Sequence, residues 1–559
     1  MEKEQIILGI NGYSKRVHDA SACITIDGEL VAMAEEERFT RKKHAFGQVP
    51  HNAIAFCLDR AGVQIDMVDS MTIGWDLDKF LGNTEQGPPR EQDLVDLYLP
   101  KSKFQYSKNP SVEMVPHHLA HAASAYYLSG FDDSVILVMD GQGESQSPSV
   151  FMGNGDKISL VKEFPIEDSL GYFYEGVSEY VGLSHLDAGK TMGLAGYGDP
   201  KFSIDLIELS QDGYAIGIVQ PFQSELDLQQ EITNAWKDYL IDAFGPANNE
   251  VVIYDSRKGK FKKQTDFPQR YKDVSASAQQ VLEKVVQHLV NAFSKDLKRN
   301  LCIAGGVGLN CSMNGAIVRE GAVNELFVPP FANDAGVSVG AALYVSNKKP
   351  KSRMESSSLG PDFPNDTVVE ALDSFGVNYE LFEDIGREVA ALLAQGRIVD
   401  WFQGRMEAGP RALGNRSILG SPIFPENHQR LNTIKTREQW RPLAPSFLAE
   451  KLADYMVDPS ESPFMLRAFK VKPEKVGEIP AAVHVDGTSR AQTVTEKANH
   501  LYYGLIRDFE QLTGVPAVMN TSFNQGHEPI VCTPEDAIRT FFSSGADSLA
   551  IGNVLVRKG

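Results

Sequence analysis

The chain has 559 residues, enough for three or four domains at roughly 150 residues each. Hydrophobic residues make up 42% and charged residues 23%, which excludes a disordered or collagen-like chain and leaves a large core to bury. With 54 Lys plus Arg against 74 Asp plus Glu the formal charge is −20, which disfavours nucleic acid such as tRNA as a partner.

Five cysteines, Cys23, Cys57, Cys302, Cys311 and Cys532, form no CxxC pair, so neither a disulfide framework nor a thiolate zinc site is expected. The start MEKEQ leads directly into a short apolar strand with no secretory pattern, and no run of 18 apolar residues follows. A cytoplasmic enzyme with no membrane partner is the expectation. A homo-oligomer is compatible with the composition.

Along the chain, Ile6 to Ile10 reads as a strand, Asn11 to Asp19 as a polar loop and Ser21 to Ile26 as a second strand. Asp27-Gly28 then turns into Glu29 to Ala34. The loop carries His18 beside Asp19, and a histidine in a cleft can take a proton from an attacking hydroxyl. Glu35 to His44 switches from acid to base, either as solvated charge or as an anion-gripping loop.

Pro116 opens an Ala-rich helix in which His117 and His121, four apart, share one face at a spacing that can grip a metal ion. They lack the HExxH glutamate, and a structural role for the pair stays open. Val135 to Met139, Ser149 to Met152 and Lys157 to Val161 repeat the grammar of the first hairpin, with Asp140 after the first strand. The echo predicts a duplicated, actin-like α/β fold with a cleft between its lobes; two unrelated hairpins are the alternative. With Asp140 and Asp334, which lies in a Pro-rich turn, the histidines make a set suited to Fe(II), Mn(II) or Zn(II).

Gly189-Lys190-Thr191 resembles the end of a phosphate-binding loop, although Ser184 stands where its first glycine belongs. Leu301 to Ala304 runs into Gly305-Gly306-Val307-Gly308-Leu309-Asn310 and a helix beginning near Ser312. This order suits a phosphate or ribose site, with a structural turn as the alternative. Residues 347–366 turn Lys-, Ser- and Pro-rich and aperiodic, which sets expected boundaries of 1–350, a linker at 351–366 and a second α/β domain at 367–559. In that domain helices are expected at Val368 to Phe375 and Gly386 to Gly396, a strand at Arg397 to Phe402, and an excursion from Pro459 to Val485.

Gly409 to Ser417 carries Arg411 and Arg416 in a Gly/Pro turn, and Lys435 and Arg441 follow. Gathering cations in loops is costly unless an anion neutralises them, and arginine forks match phosphate. Asn520 and Ser522 offer an amide and a hydroxyl after the expected strand Pro516 to Met519, where α/β sheets commonly place ligands.

Eight blocks in order, HDASA (18–22), EEERFTRKKH (35–44), HHLAHAASAYY (117–127), DGQGE (140–144), GKTMGLAGYG (189–198), GGVGLNCSMN (305–314), GPRALGNRS (409–417) and MNTSFN (519–524), resemble the antibiotic and nodulation-factor O-carbamoyltransferases of the NodU/CmcH type. The resemblance runs nearly end to end. It implies an N-terminal domain similar to the actin-like threonylcarbamoyl-transferring fold and a C-terminal YrdC-like α/β domain. The second would form carbamoyl adenylate from carbamoyl phosphate and ATP, with Mg as the companion of ATP; the first would pass the carbamoyl group to a small-molecule hydroxyl acceptor. By position, His117, His121, Asp140 and Asp334 match the family's Fe(II) ligands and His18 its base. Arg411, Lys435, Arg441, Arg490, Asn520 and Ser522 match the activating site, with Arg416 hard to separate from Arg411. Gly305, Gly306, Asn310 and Lys190 are the expected nucleotide contacts. An actin-fold sugar phosphotransferase, a tRNA-modifying enzyme and a nucleotide-binding regulator are the alternatives. Acceptor choice is expected to rest on loops 72–106 and 211–269.

Overall fold

The computed structural model describes residues 3–13, 17–80, 89–218, 228–248, 267–294, 299–321 and 323–558. Parts of both expected acceptor loops, 81–88, 219–227 and 249–266, lie outside the described residues, as do Ser14, Lys15 and Arg16 of the first hairpin loop.

Strands β1 (Ile6–Asn11), β2 (Ser21–Ile26), β3 (Glu29–Glu35), β4 (Ser70–Ile73) and β5 (Ser111–Met114) form a sheet of order β3-β2-β1-β4-β5. The first three run antiparallel, while β4 and β5 lie parallel to β1. A second sheet repeats this. It comprises β6 (Asp133–Val138), β7 (Gln146–Asn154), β8 (Lys157–Pro165), β9 (Arg299–Ala304) and β10 (Val323–Phe327), in the order β8-β7-β6-β9-β10 with the same directions. The duplication read from the two hairpins is therefore the architecture: two copies of one five-stranded unit, an actin-like α/β fold. The turn between β2 and β3 works because Asp27 and Gly28 both take positive φ, 50° and 81°, which closes a two-residue hairpin.

Two helices cross between these sheets. His117–Ser129 is almost wholly buried, begins after Pro116 and ends at Gly130 with φ 72°. Val337–Ser346 leans on the first sheet, where Ser21 Oγ donates to the Ala335 carbonyl at 2.7 Å and Cys23 Sγ reaches the Ser338 carbonyl. The crossing is as close as backbone allows: a Cβ at Gly340 would lie 1.7 Å from the Ala120 carbonyl oxygen. Ala120 and Ala341 pack together beside it, and Ala342 packs over Gly9 of β1. Around the crossing the apolar residues of both sheets are buried, each large one contributing about 1.5–3 kcal/mol.

The C-terminal part is a mixed eight-stranded sheet. Its strands are β11 (Glu380–Leu381), β12 (Val399–Phe402), β13 (Arg416–Gly420), β14 (Ala444–Leu448), β15 (Gln492–Val494), β16 (Ala517–Ser522), β17 (Ser548–Ile551) and β18 (Val554–Arg557), in the order β11-β18-β17-β12-β13-β16-β14-β15. The expected helices and the β12 strand are present, at Asn365–Ser374, Ile385–Ala394 and Val399–Phe402. One strand is longer than expected: β16 continues through Asn520 to Ser522, so those side chains project from the strand itself. The segment between the two parts is laid down rather than loose. Ala408 N–H donates to the Ser357 carbonyl, Gly360 N–H to Met406, and Met406 N–H to Pro361, pairing 357–361 along 406–408.

Asp400 is an oddity of this core. It shares a face of β12 with Ile398 and Phe402, is fully buried, and neither carboxylate oxygen has a hydrogen-bond partner. Burial pushes its pKa up to about 8, against the pull of Lys558 and Lys435. The unfolded chain therefore ionises first, and this group withdraws stability as pH rises from about 4 to about 8, at up to roughly 1.4 kcal/mol per pH unit. Asp400→Asn is expected to flatten that slope, so that the melting temperature of the variant gains on wild type across this window. Parallel melting curves for the two proteins would contradict it.

Candidate functional site

The crossed helices bring together four of the residues singled out in the sequence. His117 and His121 face one another with Nε2 atoms 3.2 Å apart. Asp140, just after β6, sets Oδ2 3.0 Å from His121 and 3.6 Å from His117. Asp334, in the turn before Val337–Ser346, sets Oδ1 3.6 and 3.7 Å from the two imidazoles. All four ligand atoms lie within 4.8 Å of one another.

His117 is braced from behind. His117 Nδ1 lies 3.2 Å from the Gly74 carbonyl, which leaves its Nε2 for the cluster, and its ring stacks on Trp75 at 3.7 Å. Glu144 Oε1 accepts from the backbone N–H of His117 at 2.7 Å and of Asp76 at 2.9 Å, fixing the helix start. Burial works against a charged His117, yet Asp334 and Asp140 raise its pKa to about 10. Burial and Asp334 oppose ionisation of Asp140, but the histidines hold it at about 2. His118 points away to Ser149 Oγ at 2.7 Å and is pushed well below the usual histidine range by burial and by its two neighbours.

The donor set fits a divalent cation. Two imidazole Nε2 atoms and two carboxylates converge in a buried space, and Asp140 Oδ2 has no hydrogen-bond partner there.

His18 stands beside this cluster, with Nδ1 3.1 Å from Asp19 Oδ2 and 3.9 Å from Asp334 Oδ2. Its ring packs edge-on against Phe46 and its side chain is 37% exposed to the cavity. With Nδ1 held by Asp19, Nε2 is left to exchange a proton. Burial opposes protonation, but Asp334 and Asp19 outweigh it and raise the pKa to about 10, so the ring can act as a base only where the charge of Asp334 is offset.

The glycine turn has a different first partner from the expected phosphate. Gly306 N–H donates to Asp140 Oδ1 at 3.1 Å, and Gly141 N–H does so at 2.9 Å, so the turn steers Oδ2 toward the histidines. Gly305 has φ 86°, and a Cβ there would sit 2.2 Å from the Met139 carbonyl oxygen. Asn310 caps the helix Cys311–Arg319 through Met313 N–H and pairs its amide with that of Gln279. Gly306 and Asn310 still line the cavity.

Across the cavity stands a second group. Arg411, Lys435, Arg441, Arg490, Asn520 and Ser522 all line it. Lys435 Nζ donates to Ser522 Oγ at 2.9 Å, to the Ser522 carbonyl and to Asn524 Oδ1 at 2.5 Å. Burial, then Arg437 and Arg441, drive its pKa well down. Burial and Arg490 lower Arg411 to about 9, and Arg411 Nε has no partner. Such crowding disfavours charge until an anion arrives.

The structure separates the two arginines of the Gly/Pro turn. Arg416 begins β13, is wholly buried and lies outside the cavity lining. Its guanidinium donates to the carbonyls of Gln403, Gly404 and Pro361 and stacks 3.6 Å over Phe402. Arg416 is thus a brace for the turn, and the assignment of it as an anion ligand is corrected.

Lys190 faces the arginine loop, with Nζ 3.1 Å from Asp187 and 3.4 Å from Glu438, which also approaches Arg441 at 4.0 Å. The basic run 38–44 mostly joins the two parts of the chain: Arg41 donates to the carbonyls of Ile530 and Pro529 at 2.6 and 2.8 Å. Only its Lys43 and His44, with the first residue Arg38, reach the cavity. Arg437 was not singled out by spacing. It is driven well below the usual arginine range by burial, Arg441 and Arg490, and its Nη2 has no partner; its place two residues after Lys435 was the available signal.

One cavity of about 1630 Å³ is lined by His18, Asp140 and Asp334 on one side and by the cationic group on the other. An actin-like cleft with acid–base groups, open to a cation-lined pocket in an adjoining α/β domain, fits a group-transfer enzyme. Family models confirm the class: Carbamoyltransferase N-terminus matches residues 6–343 and Carbamoyltransferase C-terminus residues 390–558. The chain belongs to the carbamoyltransferase family and is a transferase that carries a carbamoyl group. It is 37% identical to the nodulation protein NolNO of Sinorhizobium fredii over 97% of this chain and 79% of that one. An uncharacterized Synechocystis protein, sll1178, is 36% identical over 99% and 96% of the two chains. The nodulation protein NolO of Bradyrhizobium diazoefficiens is 39% identical over 79% and 78%. Among the described residues no helix is long and apolar enough to cross a membrane.

Proposed function

We propose that this enzyme is an ATP-dependent O-carbamoyltransferase with two reaction sites in one cavity. In the C-terminal part carbamoyl phosphate loses phosphate by hydrolysis. The remaining carbamate oxygen attacks the α-phosphorus of ATP, and pyrophosphate leaves carbamoyl adenylate behind. Arg411, Lys435, Arg437, Arg441 and Arg490 offset the phosphate charge, and Asn520 and Ser522 offer polar groups at the strand end.

In the N-terminal part the acceptor hydroxyl attacks the carbonyl carbon, its proton passes to His18 Nε2, and AMP departs. Asp19 keeps the imidazole oriented through Nδ1. His117, His121, Asp140 and Asp334 would hold a divalent ion such as Fe(II), which would supply positive charge for the adenylate phosphate. Mg²⁺ accompanying ATP is part of this reading.

The single observation that carries it is the shared cavity, which lets a water-sensitive intermediate pass between the two residue sets without leaving the protein. The test supplies the full chain with carbamoyl phosphate, Mg-ATP and a panel of hydroxylated small molecules. Pyrophosphate release and an O-carbamoylated product by mass spectrometry are expected. Absence of pyrophosphate under every condition would refute the reading, and elemental analysis of the purified protein identifies the metal.

A further inference from the structure

Gly409, two residues before Arg411, is gripped at both backbone polar groups by the N-terminal part. Its N–H donates to Glu35 Oε1 at 2.8 Å, and its carbonyl accepts from Arg38 Nη2 at 2.8 Å. Arg38 is only 3% exposed and is itself locked between Glu35 at 3.1 Å and Glu37 at 2.8 Å. A third contact closes the grip. Gly409 has φ 98°, and a Cβ there would lie 2.3 Å from the Pro330 carbonyl oxygen, four residues before Asp334.

Glu37 also reaches back to the transfer site. Glu37 Oε2 accepts from His44 N–H at 2.6 Å, His44 Nδ1 lies 2.9 Å from Asp19 Oδ1, and Asp19 Oδ2 lies 3.1 Å from His18. Asn333, next to Asp334, donates to Asp19 at 2.7 Å. From the other side Glu407 Oε1 accepts from the N–H groups of Leu413 and Asn415, both at 2.7 Å. The Gly/Pro turn that bears Arg411 is thus fixed at its start by residues of one part and at its end by its own.

We propose that Glu35 and Arg38 are positioning residues for Arg411, so that the cationic pocket attains its affinity for phosphate groups only when the N-terminal part holds Gly409. This rests on the reading of that pocket as a phosphate site. A free Gly/Pro turn would have to be ordered by the ligand, and every backbone residue so fixed weakens binding. The bond between parts supplies that order in advance.

Calorimetric titration of inorganic pyrophosphate into the full chain tests it. Arg38→Lys keeps the buried charge between the two glutamates but lacks the fork that spans to the Gly409 carbonyl. Pyrophosphate is expected to bind it about tenfold more weakly than wild type. Glu35→Met, which removes the acceptor for Gly409 N–H, carries the same expectation should Arg38→Lys fail to fold. Glu35→Gln keeps an acceptor oxygen and is expected to stay within twofold of wild type, a rescue that a merely structural role would not produce. Wild-type affinity in a folded Arg38→Lys or Glu35→Met protein overturns the proposal while leaving the pocket intact. Failure of wild type itself to bind pyrophosphate overturns the phosphate reading and the proposal together.

Discussion

His18→Asn is expected to lower carbamoyl transfer by 10²- to 10⁴-fold while pyrophosphate release in the absence of acceptor stays near wild type. The magnitude is what a positioned general base contributes. The selectivity follows from geometry: His18 touches Asp19 and Asp334, and its link to the cationic pocket runs through Asp19, which asparagine can still engage by its own amide. Separate assays of adenylate formation and of transfer from preformed adenylate would show it. Equal loss in both would place His18 in a shared role and refute the division of labour.

Arg441→Ala is expected to do the reverse. Losing one charge-assisted phosphate contact costs about 2–3 kcal/mol, or roughly 30- to 150-fold in kcat/KM for adenylate formation. Glu438, 4.0 Å from Arg441, keeps Lys190 at 3.4 Å as a partner, so the loss is mainly that of the Arg441 contact itself. Transfer from supplied adenylate should be little changed. A variant whose adenylate formation equals wild type would remove Arg441 from the activating site.

The parts of the fold most legible in the sequence are those governed by local rules. The period-two strands and the Asp27-Gly28 turn announced the first hairpin, and their recurrence after Val135 announced the duplication. The i, i+4 spacing of His117 and His121 put both on one helix face, and the cluster they form is completed by Asp140 from a strand end and Asp334 from a turn. What could not be read depends on which backbone groups meet after folding. The glycine turn at 305–306 looked like a phosphate cradle, but one of its N–H groups is spent on Asp140 Oδ1, a contact between segments 166 residues apart. Arg411 and Arg416 are five apart in one turn, yet 416 opens a strand whose inward face is lined by carbonyls and Phe402, whereas 411 is left facing the cavity. The basic run at 38–44 carried no signal that its arginines would bind carbonyls of a distant segment, since those acceptors are invisible in sequence.

The helix crossing at Gly340 has one more outcome. Two of the four ligands sit on one helix, the third follows a strand of the second sheet, and the fourth precedes the helix that leans on the first sheet. An ion seated among them would act as a rivet through both lobes. Motions that part the two sheets would then have to stretch coordinate bonds, so metal loading would stiffen the crossing.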